Sequence, residues 1–238
     1  PRNGRDDINS GNERTAKVDF AFTVLYYAGS ALEKNLGYSD YLNFMKSFRY
    51  PLSGEFALRS NLLSDLRIPF DWGLEMGILS EMYRNQAINR VCQAEICDHY
   101  DHKHQDLSVS NPKAGLSRMS NDIVNAVLRK LATQGHSFGA ETLRSLKAAY
   151  YRYALDAVDQ YKADAAFNGL KLDLNVEESA VELFAKNIMK AGDSFHQQPM
   201  AVPSMPTWSR VLSAHPDFFY RMRLAIEEDN NVQRIRAA

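Results

Sequence analysis

The alternation of apolar and polar positions changes character twice along the chain. Residues 1 to 15 are rich in Asn, Asp, Arg and Gly with almost nothing apolar, which predicts a flexible or misplaced end. Val18 to Leu36 then runs apolar and aromatic, predicting a helix closed by Gly37. "YPLSGEFALR" reads as a short extended piece with a turn at Ser53-Gly54, and Asn61 to Leu66 as a brief helix that Pro69 ends. Asp71 looks like the N-cap of the next helix, whose Leu74, Ile78, Leu79 and Met82 share one face at intervals of three and four. "INRVCQAEICD" sets Cys92, Ala94 and Ile96 against Arg90, Gln93 and Glu95, well enough to read as a strand.

After Asn111-Pro112 the stripes lengthen and keep helical spacing. Ile123, Val127 and Leu131 mark one helix; Leu143, Leu146, Tyr150, Tyr153, Ala157 and Tyr161 mark a long one. Asn175 with Glu178 reads as the capping box of a third, with the stripe Val176, Ala180, Leu183, Phe184 and Ile188. "QQPMAVPSMPTW" is a proline-punctuated linker, and His215-Pro216-Asp217 starts a last short helix with Pro at its first position. The pattern predicts an α/β portion over residues 1–110 and a helical portion over 111–238, with helix dominating throughout.

Composition narrows the function classes. The 238 residues carry 28 basic and 29 acidic side chains, so no long-range field favours nucleic acid or an anionic membrane. The apolar runs are far shorter than the ~20 residues of a membrane helix, and the polar opening is no signal peptide. Two cysteines, Cys92 and Cys97, lie five apart on the expected strand, so their side chains point to opposite faces and cannot bridge locally. Sparse, reduced thiols suit the cytoplasm.

Candidate chemistry concentrates in "CDHYDHKHQDL", residues 97 to 107, which hold three of the six histidines. In an extended segment His102 and His104 face the same side, a workable pair of ligands for one ion; a catalytic loop or a solvated turn fits the spacing as well. The stretch follows the predicted strand, where α/β enzymes place functional loops. Glu55 and Glu75, each near a glycine, are placed to accept hydrogen bonds from sugar hydroxyls, or are simply surface carboxylates. The tyrosines at 150, 151, 153 and 161 read as packing, and Arg221, Arg223, Arg234 and Arg236 as a solvated surface. No GxSxG, P-loop, GxGxxG or HExxH occurs.

Three blocks taken together, "SFRYPLSGEFALRSNLL", "RIPFDWGLEMGILSEMYRN" and "RVCQAEICDHYDHKHQDL", resemble successive blocks of the glucosyl-3-phosphoglycerate synthases, in order and at natural spacing. The helical tail around "KADAAFNGL" is similar to that of bacterial members. The resemblance implies part of an A-type glycosyltransferase (nucleotide-diphospho-sugar transferase) fold followed by a helical C-terminal extension. Residues 1–110 would form the second half of the catalytic domain. It implies a retaining transfer of glucose from an NDP-sugar to 3-phosphoglycerate, with Mg²⁺ or Mn²⁺ bridging the donor's diphosphate. The ion would be held by an Asp-x-Asp motif, expected upstream of Pro1, together with His102, His104 being the near alternative. Leu52, Ser53 and Gly54 would lie by the donor sugar and Glu75 would hold its hydroxyls. Lys17, in "AKVD", occupies the position of the family's phosphoglycerate-holding Gly-Arg-Val-Thr element, without its Arg and Thr. The long apolar stripes of the tail further suggest a homodimer. Two other readings stay open: a non-catalytic helical interaction or dimerisation module, and a related NDP-sugar transferase with a different acceptor.

Overall fold

The computed structural model describes residues 5–8, 14–17, 28–48, 51–52, 54–85, 88–94, 106–111, 113–199 and 205–237. Its centre is made by the segments with the longest helical stripes. Helices α5 (Gly115–Thr133), α6 (Ala140–Phe167) and α7 (Leu174–Gln197) pack along one another. Their expected stripes turn inward: Ile123, Leu131, Leu143, Leu146, Tyr150, Ala157, Leu183, Phe184 and Ile188 are all buried. Val127, Tyr153, Tyr161 and Ala180 are half-buried at its margin, while Val176 is 46% exposed. Close approach between α6 and α7 depends on Gly192, where an added Cβ would stand 2.3 Å from Leu143 Cδ1. Asn187, fully buried on α7, donates to the Ser117 carbonyl at 3.0 Å and to Ser120 Oγ at 2.7 Å, so a polar pin sets α7 against α5.

The third stripe is capped two residues earlier than expected. Asp173, not Asn175, is the N-cap, its Oδ1 accepting the N–H groups of Asn175 at 3.0 Å and Val176 at 3.2 Å. An aspartate two residues ahead of an asparagine competes for the same orphan N–H groups, and the carboxylate is the stronger acceptor.

Two short helices, α1 (Ala28–Leu36) and α2 (Asp40–Lys46), lie on this body. Ala31, Leu32, Tyr41, Leu42, Phe44 and Met45 join Ile123, Leu146 and Ile188 in one buried cluster. Gly37, at φ +85°, closes α1 as predicted; residues 18–27 of that prediction lie outside the described set.

Elsewhere the sequence reading needs correction. The segment expected to be a flexible end carries an antiparallel pair, β1 (Arg5–Ile8) and β2 (Arg14–Lys17), with Arg5 opposite Lys17 and Ile8 opposite Arg14. A ladder of backbone hydrogen bonds needs no apolar face, which is why apolar content alone misreads it. The strand expected in "INRVCQAEICD" is absent over its described part. Ile88–Arg90 form a 3-10 turn, residues 91–94 join no ladder, and Cys92 is exposed. Alternation makes a strand only where a neighbouring strand takes up the hydrogen bonds, and the hairpin β1–β2 is the only sheet among the described residues.

Helix α3 (Ser60–Leu63) ends well before Pro69, so the proline is not its terminator. Helix α4 (Leu74–Asn85) begins three residues after Asp71, whose Oδ1 accepts the Gly73 N–H at 2.9 Å; Asp71 thus shapes the turn ahead of the helix and is not its N-cap. The C-terminal end forms α8 (Trp208–Ala214), capped by Thr207, and α9 (Phe218–Ala237). The last helix is long, not short, and Pro216 sits in the turn two residues before it. No helix among the described residues is long and apolar enough to cross a membrane.

Candidate functional site

The block that holds Glu75 is shaped by two glycines and a proline. Chain segment 66–73 must double back onto α4, and it does so by laying the Pro69 ring against Gly77. A Cβ at that position would stand 2.2 Å from Pro69 Cδ, so only glycine admits the contact. The four residues Leu74, Ile78, Leu79 and Met82, expected on one face, divide between two cores. Ile78 and Met82 join Leu66 in a small cluster flanked by Leu58, Leu62 and Leu74, whereas Leu79 packs on the main core. Apolar contact therefore joins the "PLSGEFALRSNLL" and "RIPFDWGLEMG" blocks side by side. In the first of them Leu52 packs half-buried on the main core and Gly54, at φ +81°, lies in a bend, while Ser53, the other residue of the expected turn, is outside the described residues.

Glu75 lies in the first turn of α4 and is half-buried. Burial pushes its carboxyl above the usual carboxylate range, and its own backbone N–H pulls it part of the way back. An acceptor of this kind, partly dehydrated and at the positive end of a helix dipole, is suited to hydroxyl donors from a ligand.

Facing the start of α4 is one edge of α5. A Cβ on Gly73 would stand 2.8 Å from Ala126 Cβ and 3.6 Å from the Asp122 carbonyl, so the turn at 71–73 rests directly on α5. Burial, then the Asp71 charge, raises the Asp122 pKa; Arg118 and the Trp72 N–H act in the opposite direction. Arg118 Nε stands 3.5 Å from Asp122 Oδ2, an ion-pair contact too poorly aimed for a hydrogen bond, and that oxygen is buried without a hydrogen-bond partner among the described residues. Burial lowers the Arg129 pKa, while Asp71 and Asp122 raise it; its Nε is likewise buried without a hydrogen-bond partner among the described residues. Two carboxylates and two guanidinium groups thus gather behind the turn that leads to Glu75. The sequence reading missed this group because it defined α5 by Ile123, Val127 and Leu131 alone. The available signal was the spacing Asp122, Ala126, Arg129, which lies along one edge of the same helix.

Among the other expected site residues, Ser53, His102 and His104 lie outside the described residues. Lys17 is the last residue of β2, opposite Arg5. The histidine stretch is described again from Asp106, whose carbonyl accepts the Leu116 N–H at 2.9 Å. Gly115, at φ +51°, permits that contact, since a Cβ there would stand 2.2 Å from the Asp106 oxygen. The downstream end of the stretch is therefore fixed on the first turn of α5, about two turns before Asp122. No group of three or more His, Cys, Asp or Glu among the described residues is arranged to hold a metal ion. A cavity of about 30 Å³ between Leu32, Tyr41, Met76, Ile123, Leu146 and Ile188 is apolar and belongs to the core.

No protein-family model matches the chain, and no solved structure matches it. Its sequence is similar to two curated relatives. A glucosyl-3-phosphoglycerate synthase of Persephonella marina is 41% identical over 219 residues, 91% of this chain and 54% of the relative. One of Methanococcoides burtonii is 42% identical over 180 residues, 75% of this chain and 44% of the relative. The chain spans about half the length of the curated relatives it matches.

Proposed function

We propose, from the premise that the chain is a member of the glucosyl-3-phosphoglycerate synthase family, that the protein transfers glucose from an NDP-sugar to 3-phosphoglycerate with retention of configuration. The observation that carries this reading is the 41% identity extending over 91% of the chain, which takes in the Gly54, Glu75 and histidine blocks together. In this reading the chain forms the second half of an A-type catalytic domain and its helical extension, working in the cytoplasm. Leu52, Ser53 and Gly54 border the donor sugar, Glu75 accepts hydrogen bonds from its hydroxyls, and Lys17 is assigned to the acceptor's phosphate. A divalent ion, Mg²⁺ or Mn²⁺, would be held through His102 or His104 and would neutralise charge on the departing diphosphate.

The placement of Glu75 supports its role. Its carboxylate is disfavoured by burial while empty-handed, and a sugar hydroxyl supplies the hydrogen bond that favours the charged form. Donor affinity should therefore fall as pH drops toward the carboxylate range. The test uses the product of the complete reading frame with NDP-glucose, 3-phosphoglycerate and Mn²⁺, following glucosyl-3-phosphoglycerate and free NDP. Glu75→Gln should lower kcat/KM by roughly ten- to a hundred-fold, the loss of one charge-assisted hydrogen bond. Absence of product with every nucleotide tried would overturn the reading.

A homodimer is part of the proposal. On α9, Phe219, Tyr220, Leu224 and Ile226 are exposed at 43%, 66%, 41% and 50%, a run of large apolar side chains that a second copy would cover. Light scattering at micromolar concentration should give twice the chain mass; a monomer removes this part of the reading.

A further inference from the structure

We infer that Asp122 and Arg129 of α5 are positioning residues for Glu75, acting through the turn at Asp71–Gly73 that launches α4. The inference rests on the role proposed above for Glu75. Glu75 lies two residues beyond Gly73, so the direction in which its carboxylate points is fixed by how this turn sits. Three contacts seat it. The Asp71 carboxylate folds back onto the Gly73 N–H at 2.9 Å. Gly73 lies against Ala126, with room for a hydrogen and none for a methyl. The same glycine lies by the Asp122 carbonyl, which stands 3.6 Å from where its Cβ would be.

Charge locks the arrangement. Asp71 and Asp122 repel one another across the turn and would drive it off α5 if left alone. Arg129 follows Asp122 by two turns along the same edge of α5, and Arg118 stands 3.5 Å from Asp122 Oδ2, so two cations are set against two anions. Half-buried groups of this kind contribute little to stability after dehydration, yet they define one geometry sharply. A displacement of about 1 Å in a substrate-holding group is enough to cost activity severalfold or more.

The experiment is a double-mutant cycle in the product of the complete reading frame, with KM for donor and acceptor measured separately. Asp122→Asn and Arg129→Gln should each raise the donor KM roughly three- to tenfold and leave the acceptor KM unchanged. In the Glu75→Gln background neither should add a further loss, because the group they position is already gone. Losses that multiply, or that fall equally on both substrates, overturn the inference while leaving the role of Glu75 intact. Wild-type donor kinetics for Glu75→Gln alone overturn the role of Glu75, and the inference with it. Should Asp122→Asn fail to fold, the contact itself is tested. Gly73→Ala is expected to raise the donor KM, and Ala126→Gly, which removes the carbon it strikes, to recover part of it. No recovery in the double variant, with both proteins folded, overturns the inference.

Discussion

In the α5–α6–α7 body, Ile123, Leu128, Leu131, Leu146 and Ile188 are at most 2% exposed and interlock from three long helices. In the segment from 51 to 94, Leu66, Ile78 and Met82 form a small buried cluster of their own, Met76 reaches into the main core, and Pro69 on Gly77 and Gly73 on Ala126 are tight contacts at glycines. The first region is held by the area it buries. The second buries less area of its own and leans on the first through Met76, Leu79 and a few tightly shaped turns. That division lets the second region carry half-buried charges such as Asp71 and Glu75 while the body supplies the stability.

The comparison is most open to being broken in the body. Ile188→Ala removes a side chain that touches the centre of the cluster and lines its cavity, and should cost about 2–5 kcal/mol in denaturant unfolding. Ile78→Ala, in the satellite cluster, should fall at the low end of that range because surrounding turns can close over the gap. Equal losses for the two would mean that both regions share one cooperative core of equal density.

Glu75→Gln sharpens the contrast, since it should lose turnover and gain stability. The carboxyl of Glu75 is raised in the folded chain, so folding holds its proton more tightly than the unfolded chain does. Stability linked to this group is fully present below the unfolded pKa and is lost as pH rises through the folded one. The glutamine variant should therefore unfold later than the wild type at neutral pH. The two should converge once the pH falls below the ordinary carboxylate range, as urea midpoints across pH will show. Next in size is Asp173→Ala, which removes the cap of α7 and should cost about 1 kcal/mol. The smallest effect expected is from Tyr150→Phe. The phenol is fully buried with its hydroxyl unpartnered among the described residues, and burial pushes its pKa up. Removing that oxygen should stabilise the body by up to about 1 kcal/mol in thermal unfolding.

The same division explains what was legible in the sequence. Helical stripes such as Leu143, Leu146 and Tyr150 announce themselves because area burial follows a period of 3.6 residues. Gly37 was legible for a related reason, since a helix end needs a left-handed residue. The cap at Asp173 and the turn at Asp71 were placed two or three positions off, because several polar residues compete for the same N–H groups within one turn. The expected strand at 88–98 failed over its described part because alternation says nothing about a partner. At the site, Glu75 and Gly54 were read from their blocks. Asp122 and Arg129 were not, because their meaning comes from a turn some fifty residues away in the chain and no local pattern encodes it.

The C-terminal helices are attached to the site segment by a short stitch. The Met205 N–H donates to the Ile68 carbonyl at 2.8 Å and the Ser209 N–H to the Ser64 carbonyl at 3.2 Å, while Ser209 Oγ donates to Asp65 Oδ1 at 2.7 Å. These partners are separated by 144 residues along the chain in the case of Ser209 and Asp65. In a chain that has not yet folded, closing a loop of that length costs on the order of 4 kcal/mol in entropy before any contact repays it. The stitch therefore forms only after α5, α6 and α7 have shortened the path between its ends, and it opens without unfolding them. Amide hydrogens at 205 and 209 should exchange with solvent well ahead of those in the body, making this seam the first part of the molecule to come apart and the last to close.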